Sequence, residues 1–160
     1  MAMLDRGRGG GKRFLPPISL AWAFQSRYRR LMSSSTHLIL VFHGSRQPEA
    51  AIEAGRFRDE IASTGDWASV QLAWIQFGEP DLGAALEQRA AAGARQIVVA
   101  PMLLLPGRHL DRDLPEAIAA FQTRHPECPV RVTGLLTRLD GFVHLINDTS
   151  QRAAEQKNIP

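Results

Sequence analysis

Apolar positions along the chain alternate between two patterns. His37-Leu38-Ile39-Leu40-Val41-Phe42 is an apolar, β-favouring run that stops at His43-Gly44. A run of this kind marks a strand buried on both faces. Pro48 opens the next segment, at a position where a helix tolerates proline. Ala50, Ala54, Phe57 and Ile61 follow at helical spacing, and Thr64-Gly65-Asp66 ends the stripe. Val70–Ile75 predicts a second strand, closing at Phe77-Gly78. A second helix is expected from Pro80, with Leu82, Ala85, Leu86 and Ala90 on its inner side and Gly93 just past its end.

The alternation then repeats. Gln96–Ala100 is a third strand, with a candidate extension through Pro101 to Leu104, and Pro106–His109 is a loop. A third helix carries Leu114, Ile118 and Phe121 and fades at His125-Pro126. Pro129–Thr133 is a short fourth strand. A last helix runs from about Leu139 toward Gln151, with Phe142, Leu145 and Ile146 expected inward. Strands alternating with helices predict βαβ units, hence an α/β fold with helices on both faces of a parallel sheet. The expected architecture is a three-layer sandwich around a four-stranded parallel sheet of order 2-1-3-4, half of a flavodoxin-like fold.

Size and composition narrow the picture. The chain has 160 residues, 44% of them hydrophobic and 22% charged, which suits one globular domain. No apolar run reaches the roughly 20 residues of a membrane-spanning helix, so no membrane partner is expected. Cys128 is the single cysteine, so neither an internal disulfide nor a thiolate zinc cage can form. One unpaired thiol suits a reducing, cytoplasmic setting.

Charge changes the reading once it is located. Residues 1–31 hold seven basic residues against one acid, Asp5, a net of +6 in a chain whose total is +3. The remainder therefore carries −3, and the basicity of the whole is no sign of a nucleic-acid partner. Residues 1–35 are expected to lie outside the fold. They read as a translated upstream region before Met32, as a disordered basic arm, or as an Arg-rich transit segment. A single domain is expected over residues 36–156.

Ligands of open α/β sheets bind beyond the carboxyl ends of the strands. Three loops there carry chemistry. His43-Gly44-Ser45-Arg46 follows the first strand, Phe77-Gly78-Glu79-Pro80 the second, and Leu105-Pro106-Gly107-Arg108-His109 the third. Imidazole nitrogen with carboxylate oxygen suits divalent cobalt, nickel, iron or zinc, and the same groups accept protons. Two histidines and one carboxylate leave coordination positions open, as suits a metal in transit or in catalysis. His37, His125 and His144 are assigned structural or surface roles, Trp67 and Trp74 packing roles, and Cys128 none.

These residues carry a resemblance. Leu38–Arg46, Phe77–Leu82, and Ile97–Leu105 followed by Gly107, His109, Asp113, Leu114 and Pro115 resemble, in order and spacing, the motifs of the CbiX/SirB-type sirohydrochlorin chelatases. The likeness spans about residues 37–146. It implies a chelatase, a lyase that inserts Co²⁺, or Ni²⁺ or Fe²⁺, into sirohydrochlorin for cobalamin, coenzyme F430 or siroheme synthesis. No prosthetic group is implied, since the metal is a substrate. His43 and His109 match the family's metal-binding and proton-accepting histidines, and Glu79 a carboxylate at the mouth of the site. Ser45, Arg46, Met102, Leu103, Leu104, Leu105, Arg108 and Arg112 are the implied substrate contacts, with the arginines toward the carboxylate rim and the apolar residues against the macrocycle. Phe77-Gly78 departs from the apolar residues usual before the Glu-Pro. One unit is present where long members have two, which implies a homodimer.

Other readings remain. The His-Gly after the first strand is also found in histidine phosphatases, but Phe42 stands where those carry arginine. An α/β hydrolase would need a Gly-x-Ser-x-Gly nucleophile, and none occurs. A metal or tetrapyrrole binder without turnover, or a domain completed by a partner subunit, would share the same residues.

Overall fold

The computed structural model describes residues 35–155. The basic leader up to residue 34 and the expected domain end at residue 156 lie outside the described residues. The first apolar run forms β1 (Thr36–Phe42), followed by α1 (Pro48–Thr64) and β2 (Ser69–Trp74). Then come α2 (Leu82–Ala91), β3 (Gln96–Pro101), a wide π-helical turn (His109–Asp113) and α3 (Leu114–Arg124). A short β4 (Val130–Val132), a 3₁₀ turn (Leu136–Arg138) and α4 (Asp140–Glu155) complete the described chain.

The four strands form one parallel sheet of order β2-β1-β3-β4. This is the expected α/β architecture and strand order. Side chains of a strand alternate between faces, and the central strands bury both. Ile39, Val41, Ala73, Ile97 and Val99 face a core filled by Leu82, Ala85 and Leu86 of α2 and Leu114, Ile118 and Phe121 of α3. Leu38, Leu40 and Ala100 face the other way, toward Ile61 of α1 and Trp67. Phe121 and Leu86 are fully buried, and full burial of such a side chain contributes about 1.5–3 kcal/mol.

The helix boundaries have local causes. α2 begins at Leu82 rather than Pro80, because the Asp81 carboxylate accepts the Ala84 N–H at 2.7 Å and so caps the first turn. Gly93 stands past its end with φ of +83°, the left-handed conformation that closes helices. β3 stops at Pro101 and does not run to Leu104, although the Met102 N–H still reaches the Val41 carbonyl at 2.8 Å. Leu104 and Leu105 turn out into solvent. His109, expected in a loop, instead starts the wide turn, where the Leu114 N–H bonds the His109 carbonyl five residues back.

Two expectations of burial fail. Phe57 on the α1 stripe is 41% exposed, and of that helix only Ala54 is buried. In α4 no residue is buried, and Val143, Leu145 and Ile146 are about half exposed. Its main packing partner is the 3₁₀ turn before it. Its strong amphipathic pattern has no covering surface within the described chain, so Phe142, Leu145 and Ile146 do not join the core.

Candidate functional site

Strand order decides where the two histidines go. The chain leaves β1 toward β2 on one side and later returns to β3 on the other. The loops after β1 and β3 therefore diverge at the sheet's switch point and open a crevice there. His43 follows β1 and His109 follows β3, and their rings lie 5.2 Å apart, centroid to centroid, edge to face. His43 is exposed, while the His109 side chain is 30% exposed.

The first loop is pinned to the second. The ladder between β1 and β2 continues past both strands, through Ile75 N–H to the Phe42 carbonyl and Gln76 N–H to the His43 carbonyl, both 2.9 Å. Gly44 then turns with φ of +96°, and a Cβ there would sit 1.7 Å from the Gln76 carbonyl oxygen. Only glycine fits that approach. Ser45 serves this turn, since its hydroxyl accepts the Gln47 N–H at 3.1 Å. Phe77 follows with φ of +53°, uncommon for a bulky residue, and stands 53% exposed. The Arg46 guanidinium lies over its ring at 4.7 Å.

Beside the pair is a cavity of about 390 Å³ between the ends of β1 and β2 and the starts of α2 and α3. His109, Asp113, Asp81 and Gln76 give its wall polar groups, and Trp74 and Leu82 are among its apolar ones. Asp81 is occupied in capping α2. Asp113 instead turns to the histidine, its Oδ2 lying 2.7 Å from His109 Nδ1. Asp113 belongs to the third-strand motif and carries no site role among the expectations from sequence. The signal was present, for a histidine and an aspartate four residues apart at the opening of a helix share a face.

The other expected residues are placed unevenly. Glu79 is exposed and does not line the cavity. It follows β2, the edge strand, in a loop that folds back so that the Pro80 carbonyl accepts the Trp74 N–H at 3.0 Å. Arg108 is exposed at the rim, and Arg112 is tied to Glu116 by a 2.9 Å ion pair on the surface. Met102 and Leu103 are half-buried, with Met102 against the α1-side core. Among the described residues no cluster of three or more His, Cys, Asp or Glu closes a metal cage.

The histidines outside the crevice are accounted for by packing or by the open surface. His37 is buried at the start of β1, with Nδ1 2.7 Å from the Ser69 hydroxyl. Its pKa is lowered, first by burial and then by Arg89. His125 caps α3, stacks on Phe121 at 4.6 Å and meets Glu87 at 2.8 Å. His144 is exposed. Cys128 is buried, and burial pushes its thiol pKa up, away from reactivity.

Comparison with known proteins places these features in a family. A family model described as CbiX matches residues 37–153. A sirohydrochlorin cobaltochelatase of Methanococcus maripaludis is 29% identical over 85 residues, 53% of this chain and 59% of that protein. The crystal structure of a putative CbiX protein from Marinobacter aquaeolei superposes with a TM-score of 0.65 at 21% identity, covering 76% of this chain and 99% of that one. The sirohydrochlorin chelatase SirB of Bacillus subtilis, solved in complex with cobalt, matches at 27% identity and a TM-score of 0.60, over 64% of this chain and 44% of SirB. The chain thus spans less than two thirds of the length of the archaeal relatives it matches.

Proposed function

This chain belongs to the CbiX family, and from that footing we propose that it is a sirohydrochlorin chelatase, inserting a divalent metal into the macrocycle. Cobalt is the first candidate, with nickel and iron as the alternatives, and the metal is a substrate. The observation that carries the reading is the His43–His109 pair, 5.2 Å between ring centres at the sheet's switch point. The relatives named for cobalt and for sirohydrochlorin support it.

Insertion exchanges two pyrrole N–H protons for one M²⁺. The metal must be stripped of water while a base takes each proton. His43 and His109 are the groups for both tasks, since neutral imidazole binds divalent metals and accepts protons. Glu79, at the mouth, assists proton removal or product release. Arg46 and Arg108 bind rim carboxylates, and Arg112 joins them if it leaves Glu116. Ser45 holds the turn that aims His43. Leu104 and Leu105, with Met102 and Leu103 behind them, offer an apolar surface to the macrocycle.

One chain supplies one wall of the site. A cavity of about 390 Å³ is at the small end of ligand pockets, about 300–1,000 Å³. A homodimer completes it, and the uncovered apolar face of α4 is a surface such a partner would bury. Among the described residues no helix is long and apolar enough to cross a membrane, and a cytoplasmic enzyme with no nucleic-acid partner is the reading we adopt. The position of Glu79, exposed and off the cavity wall, favours one rival: a metal or tetrapyrrole carrier without turnover.

Anaerobic incubation with sirohydrochlorin and Co²⁺, followed by absorption, separates the two. The chelatase accelerates the spectral change over the uncatalysed rate, and His109→Ala abolishes the acceleration while the circular dichroism is unchanged. Metal binding without acceleration would favour the carrier. Light scattering at working concentration should give twice the chain mass, and a monomer would count against the shared cleft.

A further inference from the structure

We infer that Asp113 is a positioning residue for His109, holding its imidazole in the Nδ1–H tautomer and leaving Nε2 as the lone-pair nitrogen offered to a metal ion. The inference rests on the metal-handling reading above.

The bond itself fixes the proton. Asp113 Oδ2 lies 2.7 Å from His109 Nδ1, and an ionised carboxylate can only accept. Nδ1 therefore carries the hydrogen, and in the neutral ring Nε2 carries the free pair. A free neutral histidine side chain in water prefers the opposite tautomer, so the carboxylate has work to do. The backbone holds both residues for it. Gly107 accepts the N–H groups of Leu110 and Asp111, both at 2.9 Å, and the His109 carbonyl accepts the Leu114 N–H. Pro115, next in line, has no N–H to offer the turn. The wide turn that results is of a kind frequent at functional sites.

Among the described residues the carboxylate has no competing hydrogen bond or ion pair. Among the described residues the ion pair of Asp113 is with His109, whereas Arg112 beside it is paired with Glu116. Both His109 and Asp113 line the cavity, and His43 presents its ring to His109. Metal-ligating histidines commonly donate their other N–H to a carboxylate, which fixes the ring and raises its basicity.

The test uses the whole chain and two readouts. Two-bond ¹H–¹⁵N spectra of the metal-free protein, about two pH units above the ordinary imidazole value of about 6.5, report the tautomer of each histidine. His109 should show Nδ1–H in the wild type, and Asp113→Ala should return it toward Nε2–H. Co²⁺ titration should then show affinity weakened about 10–100-fold by Asp113→Ala. A wild-type His109 in the Nε2–H form would overturn the inference, and this needs no variant to fold. So would Asp113→Ala with wild-type Co²⁺ affinity. A wild type that shows Nδ1–H but takes no Co²⁺ would instead remove the metal-handling reading and leave the positioning intact.

Discussion

His109–Asp113 lies before α3 and His125–Glu87 bridges its far end, at 2.7 and 2.8 Å. By distance they are alike; by surroundings they are opposites. Glu87 also holds Arg124, at 2.7 Å, and so ties α2 to α3. The second nitrogen of His125 faces Glu127 at 3.7 Å, and its ring rests on buried Phe121. Both nitrogens and one ring face of that histidine meet other groups of the fold. His109 has one nitrogen committed, a cavity beside it and a second imidazole against it. A histidine–carboxylate pair thus leaves room for a ligand or closes on the fold according to what the other nitrogen meets.

The comparison can be broken from the structural side first. Phe121→Ala removes the ring beneath His125 from a fully buried position. It should lower stability in urea unfolding by about 3–5 kcal/mol. An unchanged midpoint would mean that the α3 core is not as packed as described. His125→Ala loses the ring stack and should cost about 1 kcal/mol, with Co²⁺ affinity untouched. A loss of Co²⁺ binding in that variant would erase the distinction between the pairs.

Acid sharpens the contrast more gently. The Glu87 carboxyl is held below its ordinary value, first by the hydrogen bond from Arg124 and then by that from His125. Its folded pKa is lower than its unfolded one, so its stabilisation is present above the usual carboxylate range. That stabilisation is lost as pH falls through the lowered value. Glu87→Gln should therefore flatten the acid limb of the stability profile. An acid limb as steep as in the wild type would show that this clamp contributes nothing to it.

How much of this was legible in the sequence depends on what each signal encodes. The apolar runs at His37–Phe42 and Gln96–Ala100 named the central strands, because burial on both faces leaves no polar alternation. Their order followed, and with it the meeting of His43 and His109. The last helix departs from its expected burial for a physical reason. The pattern of Phe142, Leu145 and Ile146 states that a face is apolar, not that its cover lies in the same chain. Glu79 shows a similar limit, since its place after a strand puts it at the carboxyl edge of the sheet but does not say whether its side chain reaches the cavity. Asp113 was visible four residues after His109, yet a carboxylate in a motif looks the same whether it orients a histidine or faces water. The Arg46–Phe77 pair, made by a loop with positive φ, had no periodic signature at all.

The central claim is that His43 and His109 act on one metal ion. Co²⁺ titration monitored by its visible absorption, run on the wild type and on His43→Ala, His109→Ala and His125→Ala, tests it directly. The account predicts one site per chain in the wild type, lost or severely weakened in the first two variants and intact in the third. Wild-type binding in both His43→Ala and His109→Ala would contradict it.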